Sequence, residues 1–253
     1  MDIAYLNLLR RNEMDEVLSL FPAGARILEF GSGTGEQARY LADRGFDVVA
    51  IDLATSNYAD ERIYPIVNYD GRHIPLDDGS VDVIFSSNVL EHVENLEEIS
   101  AEFRRILRPR GMAVHVLPTT VWRFWSLVTG ATDSLKAAVE LPACLFPKAG
   151  EGKRGKMIIR QLRRVASGFV PRAHGTSSNG ITELWTFSRH AWARKFKECG
   201  FEVVDDRPVG FFYSGTVLFG GRLSMDRRKK LGRFLGSSTR IYVTAPDKLA
   251  GVH

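Results

Sequence analysis

The sequence has few cysteines and no long apolar run, and these absences exclude several classes of protein. Its two cysteines, Cys144 and Cys199, cannot form a disulfide framework and lack the spacing of metal ligands. This cysteine usage suits a reducing compartment. No stretch reaches the roughly 18 consecutive apolar residues of a transmembrane helix, and residues 1–20 lack the apolar core of a secretory signal. We therefore expect a cytoplasmic protein.

The chain does have the size and composition of one sizeable α/β domain with an insertion. It contains 253 residues, of which 44% are hydrophobic and 25% charged, as is ordinary for a globular protein. Its net charge of +4 is unevenly placed. Residues 147–172 carry eight basic side chains against one acidic one, and residues 222–233 carry six against one. The two basic segments favour a negatively charged partner, although solvated basic faces are common.

One stretch has the pattern of a strand, a tight turn and a helix. The apolar run Arg26–Phe30 is followed by glycines at alternate positions, Gly31, Gly33 and Gly35, and then by a helical pattern. Glycine allows open backbone angles and close approach of a ligand, and the next helix offers unpaired N–H groups. The spacing differs from the Gly-x-Gly-x-x-Gly of dinucleotide sites. By itself, the stretch could also be an ordinary glycine-rich turn.

Apolar strands and helical patterns then alternate, which predicts right-handed βαβ units and a parallel sheet. After the first strand, further strands are predicted at residues 46–51, 62–67, 81–86, 112–117, 201–205 and, antiparallel to the rest, 239–245. Asp52 follows the second strand and Asp70 follows the third. Ligands of open parallel sheets bind beyond the carboxyl ends of the strands, where these acids would lie. Either acid could instead be a loop residue or a helix cap.

Residues 26–118 resemble class I S-adenosylmethionine (SAM)-dependent methyltransferases, in the small-molecule, methyltransferase type 11-like branch. The resemblance begins with the glycine loop, which Glu29 precedes by two positions. It continues through Asp70 followed by Pro75-Leu76, Val81-Asp82-Val83, Val89-Leu90-Glu91-His92-Val93 and Leu107-Arg108-Pro109-Arg110-Gly111. It implies a Rossmann-like, doubly wound, seven-stranded and mostly parallel sheet, with SAM as the cofactor.

The resemblance also implies roles for individual residues. Asp52 would accept hydrogen bonds from the ribose hydroxyls, and Asp70 would bind the adenine amino group with the Gly71 amide against the ring. Ser87 and Asn88 would line the methionine end of the cofactor. The implied cofactor-binding set is Glu29, Gly31, Ser32, Gly33, Gly35, Asp52, Leu53, Asp70, Gly71, Ser87 and Asn88.

The resemblance ends after Pro118, and some 65 residues intervene before the next matched element. Residues 119–180 contain an aromatic-rich stretch, an apolar stretch broken by Pro142, the first basic segment and a polar loop around His174. Long loops inside compact domains are usually functional or flexible. We predict a single domain, residues 1–253, in which this insertion between the fifth and sixth strands is a lid over the substrate site. A disordered insertion is the alternative.

Methyl transfer to a hydroxyl requires alignment, exclusion of water and removal of a proton. The candidate bases are His92, His174, Glu91 and His115. His174 has the polar loop context of a substrate-binding residue, and His92 follows the fourth strand at the predicted pocket edge. His115 lies in an apolar strand, as core histidines do. No metal is expected, because no His/Asp/Glu cluster has ligand spacing.

The predicted function is methyl transfer to a small-molecule acceptor, such as a hydroxyl of a sugar or of a lipid-linked, anionic and partly apolar metabolite. The basic amphipathic segment 223–235 could lie on the anionic inner face of a membrane or be a solvated helix. Ribose methylation of RNA is a rival hypothesis, since Lys/Arg runs with aromatics can follow a phosphate backbone. The motif for methylation of base amino groups is absent, because Ser86-Ser87-Asn88-Val89 stands in its place. A SAM-binding regulatory subunit without turnover is the third hypothesis.

Overall fold

The computed structural model describes residues 3–145, 154–169, 173–176, 179–214 and 223–247. The chain clusters into two compact units. The first comprises residues 1–118, 189–209 and 239–253, and the second comprises residues 119–188 and 210–238. The helices are α1 (Ile3–Val17), α2 (Glu36–Ala42), α3 (Leu96–Ile106), α4 (Thr120–Leu145), α5 (Arg154–Phe169), α6 (Glu183–Thr186), α7 (Arg189–Glu198) and α8 (Met225–Leu235).

The first unit contains the predicted sheet. Its strands are β1 (Arg26–Phe30), β2 (Asp47–Leu53), β3 (Ile66–Tyr69), β4 (Val81–Ser87), β5 (Leu107–Pro118), β6 (Phe201–Pro208) and β7 (Thr239–Pro246). They lie in the order β3-β2-β1-β4-β5-β7-β6. The first five are parallel to their neighbours, whereas β7 is antiparallel to both β5 and β6. The seven-stranded, mostly parallel α/β fold is therefore confirmed, including its antiparallel seventh strand.

The central strands are buried on both faces, as parallel strands covered by helices must be. The apolar side chains of β1 and β4 are almost wholly removed from solvent, namely Ile27, Leu28, Phe30, Val81, Val83, Ile84 and Phe85. Helix α3 covers the sheet with an apolar stripe at helical spacing, and its Phe103 ring meets Phe30 edge to face at 5.0 Å between centroids. This rigid core fixes the strand ends from which the site is built.

The third and fifth strands differ most from the sequence-based prediction. The third strand occupies Ile66–Tyr69 and not residues 62–67. The fifth strand begins at Leu107, five residues early, because Leu107 pairs with Val81 before the register shifts. The residue pattern suggested a turn here, and the structure instead has an irregular strand start in which Arg110 adopts a φ of 70°.

The second unit combines two segments that are distant in sequence. Ser134 of α4 donates to the Arg164 carbonyl of α5, and Gln161 donates to the Ala137 carbonyl, so these helices form an antiparallel hairpin. Residues 210–238 join them, because the Trp125 indole nitrogen donates to the Leu235 carbonyl. The lid prediction at residues 119–180 covered only one part of this unit. Its role as a lid stays a prediction.

A glycine on α8 provides a test of packing in this unit. A Cβ at Gly232 would lie 2.1 Å from the carbonyl oxygen of Gly210. We expect Gly232→Ala to destabilise the unit by ~2 kcal/mol or more, because backbone cannot yield as a side chain does. The matched control is Gly130→Ala on α4, where a Cβ meets nothing within 4 Å and alanine should stabilise the helix by up to about 1 kcal/mol. Thermal melting measures both, and equal melting temperatures would contradict the packing.

Candidate functional site

The glycine loop, residues 31–35, connects β1 to α2 in a backbone conformation that other residues rarely adopt. Gly31, Gly33 and Gly35 have φ values of 75°, 55° and 77°. A Cβ at Gly31 would lie 2.6 Å from the methyl carbons of Val89, and one at Gly35 would lie 2.7 Å from Tyr64. Both the backbone angles and the packing therefore require glycine at the two ends of the loop.

The loop is bound to the end of β2 by hydrogen bonds. The amides of Gly31 and Ser32 both donate to the Ile51 carbonyl at 3.0 Å, and the Gly33 amide donates to Asp52 Oδ2 at 2.8 Å. The second oxygen of Asp52 accepts from the Leu53 amide at 2.8 Å. The structure thus brings together the glycine loop and Asp52, which the sequence placed on separate elements.

Glu29, at the end of β1, is a buried acid beside this loop. Its side chain belongs to a residue that is only 2% exposed, and among the described residues its Oε2 has no hydrogen-bond partner. Burial raises the pKa of Glu29 to about 8, and hydrogen bonds from Ser32 and the Ala38 amide offset only part of that effect. The carboxyl is consequently largely protonated at neutral pH.

Asp70 and Gly71 form a turn after β3. The Asp70 Oδ1 accepts hydrogen bonds from the amides of Arg72 and His73 at 2.8 and 2.7 Å, and these bonds hold the pKa of Asp70 below its usual value. A Cβ at Gly71 would lie 3.3 Å from the Leu53 side chain, so the turn lies against the end of β2. The turn role, which the sequence left open for Asp70, is seen in the structure, and its adenine role stays a prediction.

Ser87 and Asn88 mark the end of β4. Asn88 adopts a left-handed φ of 54°, its amide donates to the Val116 carbonyl, and its side chain donates to Ser87 Oγ at 3.2 Å. Arg10 of α1 also donates to Ser87 Oγ, at 3.3 Å, and pairs with the buried Glu13. Sequence reasoning missed Arg10, because an Arg and a Glu three residues apart have the pattern of a surface helix pair.

The three other candidate acid–base residues of the first unit have different environments. His115 is buried, with Nδ1 2.8 Å from Ser86 Oγ and its ring stacked on Phe103 and Phe196. Burial lowers the pKa of His115 to about 3, so it is a neutral core histidine. His92 is exposed, and its Nε2 lies 3.9 Å from Oε1 of the buried Glu91.

His174 belongs to the second unit, where a buried carboxylate holds its backbone. The amides of His174 and Gly175 donate to Glu183 Oε1 at 2.6 and 2.7 Å. The other oxygen, Oε2, lies 3.1 Å from Nε of Arg123. Glu183 is fully buried and Arg123 nearly so, which makes the pair a fixed point for the loop.

The side chain of His174 is exposed, although its ring meets Trp122 edge to face at 4.7 Å between centroids. Arg123 also donates to the Gly180 carbonyl at 2.8 Å, on the far side of the loop. Neither Arg123 nor Glu183 was predicted, since nothing in a single sequence pairs two charges 60 residues apart. The backbone of His174 and Gly175 is thus held by Glu183, and the exposed imidazole extends from it.

The strand order, the glycine loop and the acid after the second strand define a Rossmann-like nucleotide-binding domain. A family model described as a methyltransferase domain matches residues 28–115. A methyltransferase of Mycobacterium sp. (strain KMS) without an assigned substrate is 35% identical over 126 residues, which are 46% of this chain and 48% of that protein. A malonyl-[acyl-carrier protein] O-methyltransferase of Enterobacter lignolyticus is 31% identical over 112 residues, 42% of this chain and 45% of that protein.

Solved structures share the fold. A SAM-dependent methyltransferase from Aquifex aeolicus superposes with a TM-score of 0.51 at 15% identity, covering 96% of this chain and 98% of that one. The chain spans about half the length of the curated relatives that it matches. Residues 28–115 match a methyltransferase domain, in agreement with the resemblance to class I SAM-dependent methyltransferases, which implies SAM as the cofactor.

The residues at the carboxyl edge of the sheet fit this cofactor. Glu29 offers a buried carboxyl oxygen without a hydrogen-bond partner among the described residues, which suits the ammonium group of an amino acid. Asp52 offers a carboxylate at the end of β2, held in place by the Gly33 amide, which suits two ribose hydroxyls. The individual binding roles of the predicted set stay proposals.

The raised pKa of Glu29 predicts how the cofactor-free protein responds to pH. A carboxyl whose pKa is higher in the folded than in the unfolded state stabilises the fold below its unfolded pKa, and this contribution is lost as the pH rises through the folded pKa. Between about pH 5 and about pH 8, the free energy of unfolding should fall by ~3 kcal/mol relative to Glu29→Gln. Urea unfolding across this range measures it.

The control for this experiment is Glu61→Gln, which changes an exposed carboxyl and should keep the pH dependence of the wild type. Parallel stability curves for wild type and Glu29→Gln would show that Glu29 does not titrate in this range.

Proposed function

We propose that the protein transfers a methyl group from SAM to an oxygen atom of a small-molecule acceptor. Bound SAM supplies a methyl group on a sulfonium, which is already activated for in-line displacement. The protein must therefore hold the cofactor, align the acceptor and accept the acceptor's proton. The observation that carries the proposal is the joining of the glycine loop to Asp52 through the Gly33 amide, beside the buried Glu29.

The first unit supplies the cofactor-binding residues in this proposal. Asp52 takes the ribose, the glycine loop allows close approach of the main chain, and Glu29 with Ser87 and Asn88 surrounds the methionine end. Asp70 and Gly71 take the adenine. A cationic ammonium beside Glu29 favours the ionised carboxyl, so cofactor binding at neutral pH releases a proton from Glu29.

His174 is the proposed acceptor of the proton. Its exposed imidazole is carried on a loop whose amides are held by Glu183, and histidine is suited to accept a hydroxyl proton near neutral pH. His92 is the weaker candidate, because its ring lies beside the buried acid Glu91. A neutral or anionic product leaves the histidine protonated, and solvent can then remove that proton.

An oxygen acceptor is supported by two observations. One relative carries the name of an O-methyltransferase that acts on malonyl-[acyl-carrier protein], and the sequence after β4 lacks the motif of base amino-group methylation. The acceptor that fits the two basic segments is anionic, and a lipid-linked or sugar metabolite with a hydroxyl meets both requirements.

Cofactor binding tests the first part of the proposal. Asp52→Asn should weaken SAM binding by about tenfold or more, because hydrogen bonds to a charged acceptor are worth roughly 1.5–3 kcal/mol. The control is Asp47→Asn, at the other end of the same strand, where the carboxylate is exposed and lies 3.4 Å from Arg26. It should change the affinity less than twofold. Isothermal titration measures both, and absence of SAM binding to the wild type would overturn the cofactor assignment.

Acceptor chemistry tests the second part. His174→Gln should lower the methylation rate by roughly 10²-fold or more while SAM affinity stays unchanged. His190→Gln, an exposed histidine on α7, should not. The assay follows label from methyl-labelled SAM into a soluble metabolite fraction, a lipid extract and total RNA. Label in metabolite or lipid supports the proposal, whereas label in RNA overturns the acceptor class. SAM binding without label in any fraction indicates a regulatory subunit.

A further inference from the structure

The helical hairpin of α4 and α5 is held together by small and polar side chains. Ser134, Ala137 and Gln161 are the buried residues between the two helices. Ser134 donates to the Arg164 carbonyl at 2.8 Å, and Gln161 donates to the Ala137 carbonyl at 3.1 Å. Arg164 pairs with Asp133 at 2.5 Å as well. Among the described side chains of the two helices, none of the aliphatic ones larger than alanine is fully buried.

Several of these larger side chains are exposed. Leu135 of α4 is 68% exposed, and Ile159 and Leu162 of α5 are 52% and 49% exposed. The angle of each residue about its helix axis can be measured from the direction of the partner helix. In an antiparallel pair, residues of the two helices that have similar angles of the same sign lie on the same side of the pair. At 3.6 residues per turn, one side of the hairpin then carries only exposed apolar residues or glycine, namely Ala131, Leu135, Ala138, Pro142, Gly155, Ile159, Leu162 and Ala166. We call this set the apolar face.

Charged residues of the hairpin lie on the opposite side. By the same helical count, that side carries Lys136, Arg160 and Arg163, all exposed, together with the paired Asp133, Glu140 and Arg164. None of the eight residues of the apolar face is charged. The segment 147–172, which includes α5, has eight basic residues and one acidic one. The hairpin thus combines a continuous apolar surface with an excess of positive charge.

We propose that the apolar face docks on the surface of an anionic lipid bilayer. A bilayer takes up aliphatic side chains without requiring matching hydrogen bonds. Arg163, four residues from Ile159 and therefore at the edge of the apolar face, is long enough to reach the phosphate groups. The centre of a protein interface is enriched in aromatic residues, and none of the eight residues of the apolar face is aromatic. Among the described residues, no helix combines the length and hydropathy of a membrane span, so the docking is peripheral.

The proposal places the protein where a lipid-linked acceptor would be found, but it does not depend on the identity of the acceptor. This membrane surface is not the one considered from the sequence, which was the basic segment 223–235. The exposed surface of α8 is mainly charged, with Arg227, Lys230, Arg233 and the single aromatic Phe234. The buried Arg228 of α8 donates to the Phe212 carbonyl at 3.2 Å, inside its own unit. The hairpin therefore offers the larger apolar surface.

Vesicle flotation tests the proposal on the 253-residue chain. The wild type should float with phosphatidylcholine vesicles that contain phosphatidylglycerol and bind pure phosphatidylcholine more weakly. The triple variant Leu135→Gln, Ile159→Gln and Leu162→Gln should lose about tenfold or more of its partition coefficient, because three exposed aliphatic side chains no longer enter the bilayer. Arg160→Gln with Arg163→Gln should weaken binding to the anionic vesicles only, and raised salt should mimic it.

The control is Ile63→Gln with Val204→Gln, two exposed aliphatic residues of the first unit, which should float like the wild type. Unchanged SAM affinity in every variant establishes that the fold is intact, and it separates this test from that of the methyltransferase proposal. A wild type that does not float, or a triple variant that floats equally well, overturns the proposal. If the wild type is a dimer and the triple variant is a monomer, the apolar face binds a second copy of the chain, and the membrane proposal is overturned as well.

Discussion

The hydrogen bond from the Gly33 amide to Asp52 is the constraint on which the proposed cofactor site of the first unit depends. It requires β1 and β2 to be parallel neighbours that end at the same level, which the buried core of the sheet provides. It also requires a loop with left-handed backbone angles, which glycine adopts readily, and at Gly31 and Gly35 there is in addition no room for a Cβ. The parallel strand pair, the glycines of the loop and the acid at the end of β2 are thus all needed for this one hydrogen bond.

Each unit has a buried carboxyl group beside its candidate site residues, Glu29 in the first and Glu183 in the second. The surroundings of the two groups differ. Glu29 has no basic partner among the causes of its pKa shift, so burial keeps it largely protonated until a cation arrives. Glu183 instead lies beside the guanidinium of Arg123 and accepts hydrogen bonds from two backbone amides, so it has a structural role. The first arrangement can respond to a ligand, whereas the second can only hold a loop in shape.

The glycine loop and the sheet around it could be predicted because the sequence patterns that indicate them are local. The glycine spacing, Asp52 and the strand pattern each lie within a few residues, and parallel topology brings them to one edge. The site around His174 could not, because Arg123 and Glu183 act across 60 residues and neither belongs to a periodic pattern. The early start of β5 was missed because its first pairing, Leu107 with Val81, precedes a register shift. Arg10 was missed because its contact with Ser87 is tertiary.

The composition of the α4–α5 hairpin is the reverse of an ordinary helix pair, in which aliphatic side chains fill the contact and polar ones face outward. Here the fully buried residues at the contact are Ser134, Ala137 and Gln161, whereas Met157, Ile158 and Val165 are only half-buried. A hairpin fixed by these contacts is already formed before it binds. Binding through its exposed aliphatic side chains therefore costs little backbone conformational entropy. Exposed aliphatic residues also carry a risk of aggregation. Their concentration on one side, with the charges on the other, limits that risk to a single surface, as a peripheral membrane face requires.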